Sequence, residues 1–347
     1  MPMRWDRPVS IDILAEGSQI LNSSHEELTT WMRKAFHKRR EVFGSDLFCF
    51  SPTGYPYEID SHTQKNPHNF VSLSITGIGC ALSCEHCKGK LLQGMESTPS
   101  PETLFSKCQE IKKRGGEGVL ISGGSDSQGH VPLAPFLSTI ARIKSELALK
   151  VVVHTGLVSP DVASGLAETD IDAAMLDVIG SDEVAMKVYH LDNGVADIER
   201  SIDLLIESGI PIAPHILIGL NYGKLGGELE ALAMIAGKNP AAVVFIILNP
   251  LRKTPMENVK PPSPEVVGKV LTIARHGLPK TPLLLGCARP MGEHKIQSDK
   301  YAIQTGINGI AYISQEGVDF SREMGLKPIF SDTCCSLAPV MIGKTSA

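Results

Sequence analysis

The chain has no long hydrophobic run. Its most apolar stretch, Val243-Val244-Phe245-Ile246-Ile247-Leu248, stops at Asn249-Pro250. A bilayer crossing needs about 20 apolar residues, so this stretch is read as a buried strand and no membrane anchor is expected. An excess of positive charge is also missing. Lys and Arg number 33 against 38 Asp and Glu, a net charge of −5, which argues against a dedicated nucleic-acid surface. No secretory leader is visible, and the eight cysteines fall at irregular spacing. A disulfide framework is therefore not expected, and a cytoplasmic location is. At 347 residues, 42% hydrophobic and 20% charged, the chain can bury one large barrel or two ordinary domains.

The most informative shortage is a missing fourth cysteine. Cys80, Cys84 and Cys87 lie in Gly79-Cys80-Ala81-Leu82-Ser83-Cys84-Glu85-His86-Cys87. Iron–sulfur clusters are normally held by four thiolates, so three from one loop leave an iron open to another ligand. That makes the loop a candidate reaction centre. A structural zinc site would follow Cys84 and Cys87 with a second Cys or His pair, and none comes within a finger's length. His86 could in principle complete a Cys3His site. Sitting between two ligands, it is expected to point away from a metal they share.

Alternation along the chain gives the fold. Phe70–Thr76 reads as a strand, and strand-like and helix-like segments then take turns. Strands are expected at 118–122, 150–154, 173–178, 211–219, 243–248, 283–286 and 309–312. Ser100-Pro101-Glu102, Ser159-Pro160-Asp161 and Ser263-Pro264-Glu265 each place a cap, a first-turn proline and an acid at a helix start. Further helices are expected over 133–147, 195–208, 225–236 and 295–305. Eight strands alternating with helices indicate an α/β chain folded as a closed (βα)8 TIM-type barrel, with a doubly wound open sheet as the structural alternative. We divide the chain into an N-terminal extension with one helix (1–67), the barrel (68–325) and an irregular C-terminal tail (326–347).

On this register the cysteine loop follows the first strand, at the carboxyl end where barrel active sites lie. Gly123-Gly124-Ser125-Asp126 follows the second strand and reads either as a tight turn or as a site of close backbone approach. His154-Thr155, Asp177 and His215 end or lie in later strands. Each makes either a structural hydrogen bond or a contact in the same cavity. Cys108, mid-helix, is read as core. Cys287 ends the seventh strand, Cys334 and Cys335 follow the last barrel element, and Cys49 precedes the first strand. Barrel closure could bring these four together as ligands of a second, auxiliary cluster; the alternative is separate buried thiols.

The Cys-x-x-x-Cys-x-x-Cys spacing resembles the radical S-adenosylmethionine (SAM) superfamily. The resemblance implies a [4Fe–4S] cluster on Cys80, Cys84 and Cys87, with the free iron chelated by the amino and carboxylate groups of SAM. One electron then cleaves SAM to methionine and a 5′-deoxyadenosyl radical that abstracts hydrogen; the difficult chemistry belongs to the cofactor. His86 stands where many members carry an aromatic residue, and imidazole can stack on adenine. Gly123, Gly124, Ser125 and Asp126 correspond to a Gly-Gly-Glu-like motif receiving SAM's ammonium, with Asp126 one residue late. His154, Asp177 and His215 become further candidate SAM contacts.

A second cluster suggests sulfur insertion. Biotin synthase shares the barrel and the preceding helix but draws auxiliary ligands from barrel strands together with an arginine. Here strands two, three and five carry no such cysteine, and Arg289 is the nearest arginine to Cys287. A fuller resemblance is to biotin-synthase-like proteins that form the archaeal-type two-component lipoyl synthase. It rests on Cys-x-His-Cys followed by Lys88–Met95, His154-Thr155-Gly156, Cys287-Ala288-Arg289-Pro290 and a carboxyl-terminal cysteine. It implies thiolation at carbon 6 or 8 of an octanoyl chain on a carrier-protein lysine. It also implies a second radical SAM subunit as partner and an electron donor of ferredoxin or flavodoxin type. The alternatives are a radical SAM mutase or carbon–carbon lyase acting on a small molecule, a biotin-synthase-related sulfurtransferase, and a non-catalytic metal-binding subunit.

Overall fold

The structure, a computed structural model, describes residues 11–345, with side chains to residue 342. The first ten residues of the N-terminal extension and the last two of the tail lie outside the described residues. All eight expected barrel strands form: Phe70–Ser74, Gly118–Ser122, Lys150–His154, Ala173–Met175, His215–Ile218, Val243–Ile247, Leu283–Leu285 and Gly309–Ala311. Neighbours pair in parallel in chain order from first to fourth and from fifth to eighth. The fourth and fifth are joined by the parallel bridges Ala174↔Ile212 and Asp177↔His215. The helices that separate them start where Ser-Pro-acid predicted. Ser100, Ser159 and Ser263 each accept a backbone N–H of the first turn, from Thr103, Val162 and Val266. Among the described residues no helix is long and apolar enough to cross a membrane.

Both ends of the chain add strands beside the eighth. Asp46–Phe50 pairs in parallel with it (Phe48↔Gly309, Phe50↔Ala311), and Lys327–Ser331 pairs on the other edge of Asp46–Phe50. Gly309 is required here, because a Cβ on it would lie 2.7 Å from the Phe50 ring. The short strand Glu96–Ser97 sits at the outer edge of the first barrel strand. Among the described residues no ladder joins that edge to Lys327–Ser331. Thr53 and Asn69 cross the seam instead: the Thr53 N–H bonds the Phe70 carbonyl at 3.2 Å, and Asn69 donates to the Asp332 carbonyl at 3.0 Å.

Two apolar clusters follow from side-chain alternation on the strands. Leu47, Leu73, Ile121, Val153, Ile218, Phe245 and Leu285 face the helices. Phe48, Phe50, Phe70, Met175, Val244 and Leu284 face the lumen, with Ala173, Ala213 and Ala311 leaving space between them. Tail residues Cys335, Leu337 and Ala338 pack in that space, and Ser336 Oγ lies 2.7 Å from Met175 Sδ. The tail thus departs from the irregular segment expected. It contains a strand, a 3-10 turn (Cys335–Leu337) and a helix (Ala338–Thr345), and part of it fills the barrel. Its local pattern is weak because its partners lie across the whole chain. The N-terminal extension likewise carries a second helix, Ala15–Leu21, before His25–Phe43.

Candidate active site

The cysteine loop is shaped by its own backbone and by the loop after the second strand. Cys84 accepts the N–H groups of Cys87 and Lys88 at 3.2 and 2.8 Å, and Ser83, Lys88 and Gly89 adopt left-handed conformations that curl the chain. The Ser125 carbonyl accepts the Ala81 N–H at 2.8 Å, and the Gly124 N–H bonds Thr76 Oγ1 at 2.7 Å. Gly124 admits no side chain: a Cβ would lie 1.9 Å from the Gly79 carbonyl oxygen and 2.6 Å from Cys80 Cα. The Gly-Gly turn is therefore the cradle on which the cysteine loop rests.

The sulfurs converge. Cys84 and Cys87 are buried and hydrogen-bonded to each other, and Cys80 is half-buried on the same loop, its charge felt at Cys84. The bond from Cys84, with His86 alongside, holds the Cys87 thiol below the ordinary thiol range. Cys84 is pushed up by the same bond and by burial. A His86 ring nitrogen lies within 4.8 Å of both sulfurs, so His86 does not turn away from the donor group as its position between two ligands suggested. The ring is held there by Tyr189, at 5.2 Å between centroids and 28° between planes.

Tyr189 leads from the loop into the lumen. It ends a short π-helical turn, Ala185–Tyr189, after the fourth strand, and its hydroxyl donates to Asp177 Oδ2 at 2.8 Å. Asp177 Oδ1 lies 3.5 Å from His154 Nε2, and the His154 and His215 rings are 5.6 Å apart. Burial would raise the Asp177 carboxyl, but the nearby His154 imidazole, the charge of His215 and the Tyr189 hydroxyl hold it well below the carboxylate range. Burial pushes the His215 imidazole down to about 4, and its Nδ1 has no hydrogen-bond partner.

A second set of thiols lies on the tail and on the loop after the seventh strand. Cys335 packs in the lumen with Cys334 against it, whereas Cys287 is exposed, its thiol pushed up by the surrounding protein and by the charge of Cys334. Cys334 is hydrogen-bonded to Cys335; that bond, the Ser336 groups and the charge of His154 keep it below the ordinary thiol range. Cys335 is driven up by the same bond and by burial.

The sequence from 74 to 231 matches the family model described as the radical SAM superfamily. Those residues form a radical SAM domain. Relatives by sequence include the biotin synthase of Vibrio cholerae, 22% identical over 266 residues covering 72% of this chain and 73% of that protein. The biotin synthase of Nitrosopumilus maritimus is 22% identical over 254 residues, covering 70% and 76%. Similar solved structures include methylornithine synthase (PylB), with a TM-score of 0.63 at 16% identity, covering 93% of this chain and 95% of that one. The hydrogenase maturase HydG from Carboxydothermus hydrogenoformans has a TM-score of 0.63 at 17% identity, covering 92% and 76%. At those identities the likeness to solved structures is one of fold.

Within the radical SAM domain the structure brings Cys80, Cys84, Cys87 and His86 together above His154, Asp177 and His215. It gives Asp126 other employment: its exposed carboxylate accepts the Gln128 and His130 N–H groups at 2.9 Å each and holds its own turn. Cys49 lies apart from the lumen thiols. Strand alternation turns it with Leu47 toward the helices, where burial raises its thiol to about 12. Arg289 is also turned away. It is fully buried, paired with Asp299, and donates to the Ala311 carbonyl at 2.7 Å, so it locks the seventh strand's loop to the eighth strand. Tyr189 was not foreseen. Its only signal is an aromatic residue on the loop after the expected strand 173–178, which carries Asp177.

Proposed function

We propose that this chain is a radical SAM sulfur-insertion enzyme, a lipoyl synthase subunit that thiolates carbon 6 or 8 of a protein-bound octanoyl-lysine. One feature supports this reading: Cys334 is hydrogen-bonded to Cys335, which packs in the barrel lumen apart from the cysteine loop, and the charge of Cys334 is felt at Cys287. A radical SAM enzyme without sulfur chemistry needs no such thiols.

The converging donors of the cysteine loop suit the first group, and the tail pair with Cys287 supplies thiols for the second. Cys80, Cys84 and Cys87 offer three thiols on one cradled loop and would hold the [4Fe–4S] cluster, whose chemistry when bound is reductive cleavage of SAM. Cys287, Cys334 and Cys335 would hold an auxiliary cluster able to supply sulfide. Gly124 and Ser125 set the height of the cysteine loop, while His86 and Tyr189 fix its orientation over the lumen. The apolar side chains of Phe48, Phe50, Val244 and Leu284, packed against the tail, exclude water from that part of the barrel. The substrate would be an octanoylated carrier lysine. A second radical SAM subunit, an electron donor of ferredoxin or flavodoxin type and a cytoplasmic setting belong to the same proposal.

Iron and sulfide content after anaerobic reconstitution tests it. About eight irons per chain support two clusters, whereas about four would leave only the SAM cluster and favour a mutase or lyase.

A further inference from the structure

Three side chains in the lumen belong to neither group of thiols. His154, Asp177 and His215 stand at the third strand's end, beyond the fourth strand and at the fifth strand's start, where the bridge Asp177↔His215 links the two sheets. Their donor atoms all lie within 4.8 Å of one another. We propose that His154, Asp177 and His215 form a mononuclear site for a divalent first-row transition metal, distinct from both groups of thiols.

The geometry separates a metal site from a proton relay. A relay through an Asp–His pair needs a hydrogen bond of ordinary length, about 2.7–3.2 Å. Here His154 Nε2 and Asp177 Oδ1 stand 3.5 Å apart, so the two face a common centre without joining. A relay would also partner His215, yet its enclosed Nδ1 bonds nothing. Asp177 is oriented from behind, because Tyr189 occupies Oδ2 and leaves Oδ1 to the cavity. Outer hydrogen bonds of this kind are how proteins aim carboxylate ligands.

The donor set names the ligand. Two imidazoles and one carboxylate suit Fe²⁺, Co²⁺ or Zn²⁺, whereas Mg²⁺ and Ca²⁺ require oxygen donors and iron–sulfur clusters require thiolates. Three protein ligands leave coordination positions open to the lumen, where the carboxyl or carbonyl oxygen of a bound molecule could be held. The proposal stands independently of sulfur transfer, since it uses none of Cys287, Cys334 and Cys335.

The test is an anaerobic Co²⁺ titration of the reconstituted, desalted protein, followed in the visible region. We expect one Co²⁺ per chain with ligand-field bands and no thiolate charge-transfer band. His215→Gln and Asp177→Asn should each weaken binding by about 100-fold or more, and Tyr189→Phe by about 10-fold. Circular dichroism and the cluster absorption of each variant report folding; should His215→Gln fail to fold, Tyr189→Phe and His154→Gln carry the test. Cys287→Ser should bind Co²⁺ unchanged. No bound Co²⁺, equal binding by Asp177→Asn, or thiolate bands that vanish in Cys287→Ser would each overturn the proposal. A normal Co²⁺ site with about four irons would uphold it while refuting the auxiliary cluster.

Discussion

Tyr189 stacks on His86 and donates its hydroxyl to Asp177, so one side chain couples the cysteine loop to the lumen. The coupling is rigid at both ends. His86 sits between two cysteines, and Asp177 is bridged through its backbone to His215 on the fifth strand.

Replacing Tyr189 by Phe keeps the stack and removes the hydroxyl. A hydrogen bond to a charged, enclosed carboxylate contributes about 1.5–3 kcal/mol, so Tyr189→Phe should lower the unfolding free energy by about that amount. Urea unfolding of the wild type and the variant measures it. An unchanged midpoint would show that the bond does not hold Asp177 in place.

Gly124→Ala should detach the cysteine loop from its cradle. The added methyl meets backbone atoms of Gly79 and Cys80, and backbone cannot swing aside as a side-chain tip can. We expect far-UV circular dichroism like the wild type's, with a loss of roughly four irons, one cluster's worth. Full iron content in Gly124→Ala would contradict the fit.

How much of this was legible beforehand depends on whether the cause was local. Ser100-Pro101, Ser159-Pro160 and Ser263-Pro264 announced their helices because a cap and a first-turn proline act within one turn. The eight strands showed themselves through apolar runs and flanking turns. Asp46–Phe50 did not, because its place is set by Gly309–Ala311 and Lys327–Ser331, more than 250 residues away. Cys49 followed from that omission: without the strand, nothing indicated that alternation would turn Cys49 outward while Phe48 and Phe50 turned inward. The tail's entry into the lumen was hidden for a similar reason. Ala173, Ala213 and Ala311 create the space, and small residues scattered over two strands and the approach to a third form no pattern along the chain. Asp126 was legible as a carboxylate near the site, but its bonds to Gln128 and His130 arise from a turn that closes only in three dimensions.

Arg289 offers a contrast between a ligand and a lock. Its guanidinium is buried against Asp299, which also accepts the N–H and hydroxyl of Ser314 at 2.8 Å each. Arg289→Met leaves that carboxylate unpaired and should cost about 3–5 kcal/mol, with much of the loss recovered when Asp299 is also made apolar. A variant that keeps its stability but loses auxiliary iron would make Arg289 a cluster ligand instead.

If Cys287, Cys334 and Cys335 supply sulfur, the mass of a product shows it most directly. An octanoyl-lysine carrier peptide would be incubated anaerobically with the reconstituted protein, a candidate partner subunit, SAM and a strong reductant. We predict that the wild type adds sulfur to the peptide. Cys287→Ala should still form 5′-deoxyadenosine but return the peptide at its original mass. Sulfur added by Cys287→Ala would contradict the account, as would 5′-deoxyadenosine formed by the wild type with no sulfur gained.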